Sequence, residues 1–364
     1  MIQIPEIFLR GISPAIILGV AGILVMILGL FIRKGAATVG GIISGVAVLL
    51  AFVANADLRG LNQTAFSTLV TLDGYTWFFN LLILFALGMT ILTSFRYLAD
   101  ETNDLYEYFV LLLFAGTGMM FMVSGNHILT IFVGLETLSI SVYVLTGILS
   151  KSPKSSEAAL KYLILGSCSS GLFLYGAALL YGASGTLGLP GLAKYFQTGS
   201  YTLMGAVGMG LLLTGFAFKV AAVPFHMWTP DVYEGAPSPV TGFMSVGVKA
   251  VAFAAFIRVF FESLQALQVN WTNILWVLAV ATMIVGNLAA IVQNNIKRML
   301  AYSSIAHAGY ILVGMIAGTA AGVSGVLYYL LAYTFTNIGA FGIVTLVGRK
   351  GEANVYLDDY RGLG

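Results

Sequence analysis

Eleven runs of mostly apolar residues follow one another along this chain, at 12–32, 36–55, 76–96, 108–124, 127–149, 157–182, 203–227, 238–262, 272–294, 299–318 and 321–347. A membrane-crossing helix needs about 20 such residues, and every run is close to that length. Barrel strands are excluded, because the runs are too long and lack the period-2 alternation of a lipid-facing sheet. The fold class is therefore an all-α polytopic membrane protein with eleven spans. Composition agrees: hydrophobic residues make up 59% and charged residues 9% of 364 positions, with mean hydropathy +0.94, more apolar than a water-soluble core requires. The first run, Ser13 to Ile32, is too long for a signal h-region and lacks a basic n-region, so it reads as the first span.

Other classes fall away on similar grounds. Seventeen basic against fifteen acidic residues leave no basic footprint for nucleic acid. The single cysteine, Cys168, can form no disulfide within the chain. Glycines such as those of Gly41-Ile-Ile-Ser-Gly45 and Gly205-Ala-Val-Gly208-Met-Gly210 suit close helix approach better than a phosphate loop, since no strand precedes them. No nucleotide or flavin site is visible, and neither metal-ligand spacing nor a hydrolytic Ser/His/Asp grouping occurs.

Loop charges predict the orientation. Arg10, Arg59, Lys194 and Arg258 fall on one side; Arg33, Lys34, Arg96, Lys151, Lys154, Lys297, Arg298, Arg349, Lys350 and Arg361 fall on the other. Four against ten places the second set in the cytoplasm, with Met1 outside and the tail to Gly364 inside. Lys161, Lys219 and Lys249 then remain as the cations of the apolar bulk, and Glu136 as its only carboxylate. A charge in hydrocarbon costs several kcal/mol, so such residues mark an ion or proton path. Lys161, one turn into its run, has a second reading as a residue whose ammonium snorkels to the interface. For Lys219 and Lys249 the alternative is a structural ion pair. Glu136 needs a cation partner on a neighbouring helix if it is to stay ionised.

Pro224 follows Lys219 within one run and predicts a kink or break there, of the kind that lines ion sites in transporters. The segment His226 to Pro239 is rich in proline and polar groups, although a plain turn onto a helix with an early proline also accounts for it. His226, past the kink, and His307, in the middle of a span, are candidate proton relays; for His307 the alternative is a neutral imidazole satisfied by a serine. His127 reads as interfacial.

Four stretches together resemble the antiporter-like membrane subunits of respiratory complex I: Gly134-Leu-Glu-Thr-Leu-Ser139, Ala158-Ala-Leu-Lys-Tyr-Leu163, Phe218-Lys-Val-Ala-Ala-Val-Pro-Phe-His226 continuing to Pro239, and Asn295-Ile-Lys-Arg-Met-Leu-Ala-Tyr-Ser-Ser304. The likeness runs from about residue 70 to the end. The wording Asp231-Val-Tyr-Glu234 favours complex I over the multisubunit cation/proton antiporters and membrane hydrogenases that share the helices and lysines. The resemblance implies a bundle with inverted five-helix repeats and a broken seventh helix. It also implies a proton relay of Glu136, Lys161, Lys219, Lys249, His226 and His307, with Lys161 between the glutamate and the channel.

The implied units are 1–107 with three helices and a cytoplasmic loop, 108–262 as the first proton-channel unit, 263–348 as an incomplete second unit, and 349–364 as a cytoplasmic loop. The family has fourteen helices, so the chain reads either as a fragment, the favoured expectation, or as a reduced variant with only an inlet half-channel. The resemblance further implies a translocase subunit in a bacterial inner membrane that binds no cofactor itself. NADH, FMN, iron-sulfur clusters and quinone would belong to partner subunits, and quinone reduction there would supply the energy. Its own partners would be other membrane subunits, the lipid bilayer and protons. A structural scaffold that moves nothing is the reading from a different class.

Overall fold

A computed structural model describes residues 7–32, 34–101, 104–199, 202–348 and 350–362. Arg33, Arg349, Met1 and Gly364, used above for orientation, lie outside the described residues. The helices are α1 (Ser13–Phe31), α2 (Ala36–Ala56), α3 (Gly74–Glu101), α4 (Glu107–Ser124), α5 (Ile128–Thr146), α6 (Pro153–Ser184), α7 (Leu189–Gln197), α8 (Leu203–Lys219) and α9 (Thr229–Gly235). They continue as α10 (Ser238–Ser263), α11 (Gln268–Ile291), α12 (Ile296–Ile316) and α13 (Ala320–Val347). A hairpin of β1 (Gln63–Ala65) and β2 (Val70–Leu72) joins α2 to α3.

Every apolar run carries a helix. Among the described residues ten helices are long and apolar enough to cross a membrane, and the run at 203–227 carries α8, which has 17 residues. Local chemistry sets the ends. Ser152, Thr202, Asn295 and Thr319 each accept a hydrogen bond from the first turn of the helix that follows, satisfying backbone donors that no carbonyl reaches. Gly185, at φ +73, closes α6 in the left-handed conformation that glycine adopts without penalty.

Close backbone approach holds the bundle together. A Cβ added to Gly134 would lie 2.6 Å from the Gly118 carbonyl oxygen and from the Met122 nitrogen, and one added to Gly176 would lie 2.8 Å from the Gly208 carbonyl oxygen. Thus α4 touches α5, and α6 touches α8, through glycine in the manner expected of membrane helices. Of the glycines singled out in the sequence, Gly41 packs under Phe95 and Gly208 meets α6, whereas Gly45 and Gly210 face open space.

At the centre stands α10, whose apolar window is wholly buried inside the bundle. It is interrupted by wide π-turns at Met244–Val248 and Arg258–Ser263. Such insertions shift the side chains that follow them and recur at functional positions. Lys249 follows the first, and Arg258 opens the second.

The two ends of the bundle differ. One end gathers the β-hairpin, His127 and α7: Asn126 donates to Leu69, and His127 pairs with Gly188 as a bridge. Here His127 caps α5 by accepting from the Leu129 amide at 3.2 Å. The opposite end gathers Lys154, α9, the start of α12 and the segment after α13, where Asn295 pairs with Tyr356.

Two expectations about charge are corrected. Arg258, assigned to a loop, is 2% exposed within α10, where its guanidinium meets Asp73 at 3.0 Å and Glu262 at 3.1 Å and lies 5.0 Å from the Tyr75 ring centroid. Lys297, also assigned to a loop, has a fully buried side chain that meets Glu352 at 2.5 Å. The three lysines are therefore not the only cations of the interior, nor is Glu136 its only acid. A guanidinium can lie inside a bundle when carboxylates pair with its charge. The loop count becomes three against nine, so its bias survives.

Candidate functional site

The break after α8 positions the site, and it comes earlier than the proline suggests. The helix stops at Lys219, residues 220–228 form successive turns, and Pro224 lies within that non-helical segment. Ala221 takes a left-handed backbone at φ +61. The carbonyl freed at Phe218 accepts the Trp228 indole N–H at 3.1 Å, and the Val223 amide donates to Thr282 on α11 at 2.9 Å. These bonds meet the requirement that polar backbone at membrane depth be satisfied within the protein. The segment from His226 to Pro239 is more than a turn: it holds α9 and the proline-led start of α10.

The break leaves Lys219 at a helix terminus, 5% exposed, reaching across to α5. Its ammonium donates to Ser139 Oγ at 2.8 Å and to the Tyr143 hydroxyl at 3.4 Å. Glu136, three residues before Ser139 and so on the same helix face, accepts instead from Ser170 Oγ on α6 at 2.5 Å. Among the described residues no ion pair joins Glu136 to a lysine, contrary to the expected direct partnership. Each charge thus has its own hydroxyl partner, Ser139 on α5 for Lys219 and Ser170 on α6 for Glu136.

Lys249 is 3% exposed and has no carboxylate partner among the described residues. Its ammonium donates to the Ser304 carbonyl of α12 at 2.5 Å and also to Ser304 Oγ. The Tyr333 hydroxyl of α13 donates to the same Oγ at 2.8 Å. His307, one turn further along α12, shares a hydrogen bond between Nδ1 and the Tyr329 hydroxyl, with its ring 5.0 Å from that of Tyr333. The expected serine partner for the histidine is thus a tyrosine.

Lys161 departs from its expected place. It meets Asp231 at 2.6 Å and Glu157 at 2.7 Å and is 41% exposed, so it belongs to an ionic cluster at one end of the bundle, nearer the snorkelling alternative. Arg298 joins Asp231 at 2.7 Å and Glu234 at 2.9 Å, and Lys154 joins Glu234 at 3.0 Å. Burial pushes the Asp231 carboxyl up, but hydrogen bonds from Lys161 and Arg298 outweigh it and hold the group below its ordinary value. Glu234 behaves likewise through Arg298 and Lys154. The cluster pins α9 to α6 and α12. His226 is half-buried, and no hydrogen bond joins it to Lys219 or Lys249 among the described residues.

Sequence reading missed Ser139, Tyr143, Ser170, Ser304 and Tyr333, because lone hydroxyls in apolar helices carry no pattern. It also missed Asp231 and Arg298 as partners. The signal for Arg258 was present: Glu262 follows it at i+4, the spacing of a helical ion pair.

A family model described as "NADH:quinone oxidoreductase/Mrp antiporter, TM" matches residues 125–364. NADH-quinone oxidoreductase subunit N of Trichlorobacter lovleyi is 47% identical over 98% of this chain and 74% of its own length. Among solved structures, respiratory complex I from Thermus thermophilus superposes with TM-score 0.80 at 35% identity, covering 96% of this chain and 74% of the other. An archaeal membrane-bound sulfane sulfur reductase gives TM-score 0.84 at 25% identity, covering 98% and 74%.

Proposed function

Since the chain belongs to the NADH:quinone oxidoreductase/Mrp antiporter membrane-subunit family, we propose that it is the proton-translocating subunit N of a complex I-type NADH:quinone oxidoreductase. The observation that carries this reading is the pair of buried lysines, Lys219 and Lys249, each bonded to hydroxyls where a structural ammonium would be paired with a carboxylate. A purely structural charge gains most from a fixed counterion. A lysine that must release its proton needs a partner that tolerates both forms, and a hydroxyl both donates and accepts.

Lys219 works against two groups on one face of α5. Beside Ser139 its proton is free to leave; one turn away, beside Glu136, the carboxylate holds the ammonium. The direction of the lysine side chain therefore sets its charge. Lys249 is the next station, and His307 the group beyond it. The break after α8 lets Lys219 swing without bending a helix. Transfer against the membrane potential needs about 2.3 kcal/mol per charge per 100 mV, and this energy comes from quinone reduction in partner subunits, which hold NADH, FMN, iron-sulfur clusters and quinone. The chain itself makes and breaks no bond to carbon.

The remaining assignments follow from this one. The protein works in a bacterial inner membrane beside other membrane subunits of the complex, as a translocase component. Its charged end, with Lys151, Lys154 and Arg298, faces the cytoplasm, and the hairpin end faces outward. Shape does not choose between complex I and the sulfur reductase, whose TM-scores are 0.80 and 0.84, but identity to the complex I chain is the higher, 35% against 25%.

The test uses inside-out membrane vesicles carrying the assembled enzyme, with proton uptake measured per electron transferred. Lys249→Ala should lower the ratio while the amount of assembled complex stays near wild type. An unchanged ratio in both Lys249→Ala and Glu136→Gln would overturn the reading.

A further inference from the structure

Ser304 stands at a junction that neither a packing role nor a counterion role explains. It is fully buried on α12, yet one side chain meets two polar partners from different helices: the Lys249 ammonium of α10 and the Tyr333 hydroxyl of α13. A serine oxygen can accept two hydrogen bonds while donating one, so both contacts can exist at once. The Tyr233 hydroxyl of α9 also faces Ser304. The Lys249 ammonium lies 5.8 Å from the centroid of the Tyr333 ring, and that ring lies 5.0 Å from His307.

Resting on the proton-translocation reading above, we propose that the Ser304 hydroxyl takes the proton from Lys249 and that Tyr333 passes it on towards His307. An N–H bond of the Lys249 ammonium breaks as Ser304 Oγ gains the proton. The O–H bond that Ser304 already had breaks, and its proton goes to the Tyr333 oxygen. Tyr333 donates to Ser304 in the observed state, so its hydroxyl first turns about the C–O bond to accept. The former phenol proton then passes across one water molecule to the His307 imidazole. Lys249 ends as a neutral amine, His307 as an imidazolium, and both hydroxyls are restored; no electron moves.

This makes Ser304 and Tyr333 participants in the transfer, distinct from the lysines and histidine. It also separates chemistry from packing by the sign of one comparison. In a fully buried site, alanine leaves a small gap, while threonine adds a methyl group that must be accommodated. If Ser304 only fills space, Ser304→Thr should be worse than Ser304→Ala. If its hydroxyl carries protons, the order reverses.

The experiment measures the rate of proton uptake, alongside the amount of assembled complex, for Ser304→Ala, Ser304→Thr, Tyr333→Phe and Lys249→Ala in inside-out vesicles. Ser304→Ala and Tyr333→Phe should lose about a hundredfold in the rate of proton uptake, the low end of what a positioned proton-transfer group contributes. Ser304→Thr should stay within about twofold of wild type on the same scale. Wild-type uptake in Ser304→Ala or Tyr333→Phe while Lys249→Ala is impaired would overturn the junction and leave the translocation reading standing. Uptake impaired more in Ser304→Thr than in Ser304→Ala would overturn it in favour of packing. Wild-type uptake in Lys249→Ala as well would remove the reading beneath it.

Discussion

At the scale of single residues, the separation of Glu136 from Lys219 sharpens what substitution should do. A buried pair broken on one side typically costs about 3–5 kcal/mol, because the surviving charge is stranded. Lys219 is held instead by Ser139 and Tyr143, and Glu136 by Ser170. Glu136→Ala should therefore leave the amount of assembled enzyme near wild type while proton uptake per electron falls severalfold; loss of both in proportion would assign Glu136 to structure. Lys219→Arg tests the other partner. Arginine stays charged at any working pH, so this variant should keep assembly but pump poorly, and wild-type pumping would make Lys219 a fixed charge. The lysines, Glu136 and His307 were legible because an ionisable residue stands out against hydrocarbon. Their hydroxyl partners were not, since serine and tyrosine are tolerated throughout membrane helices and only the fold brings Ser304 to Lys249.

At the scale of elements, the short helix α9 links the broken α8 to the enclosed α10, and its ionic clamp fixes where both begin. Asp231 bridges Lys161 and Arg298, and Glu234 bridges Lys154 and Arg298. Both carboxyls lie below their ordinary values in the folded protein. Their contribution is therefore fully present above the unfolded values of about 4 and is lost as pH falls through the lower folded values. Asp231→Asn should lower the melting temperature at pH 7 and flatten its decline below about pH 4, measured by following unfolding of the purified complex; an unchanged pH profile would show that the clamp carries no stability. The existence of the helices was plain from the apolar runs. The end of α8 at Lys219 was not, because Pro224 is a sequence landmark, whereas the carbonyl–indole bond from Trp228 that stabilises the break joins residues ten apart and leaves no local signature. Glycine contact is the complementary device: Gly134→Leu would drive a side chain into the α4 backbone, so it should reduce assembly of the whole complex, and normal assembly would show that α4 and α5 can part.

For the whole molecule, orientation decides the direction in which a proton would run. With Arg258 and Lys297 removed from the loop count, the bias towards one end remains, and basic loops favour the cytoplasm. Glu352 is a poor reporter of that end despite its place in a polar segment, because its carboxylate accepts from the Ser238 amide at 2.7 Å and pairs with buried Lys297. Lys151 and Asn62 are exposed at opposite ends of the bundle and serve better. Cys168, which is exposed on α6, must first be replaced by serine so that it does not report. In that background Asn62→Cys should react with a membrane-impermeant maleimide in intact cells, after removal of any outer membrane barrier, and Lys151→Cys should react only once the inner membrane is opened. Reversed labelling would place the Asp231–Arg298 cluster outside. Lys219 and Lys249 would keep their partners, but the proton would then have to travel along them in the opposite direction.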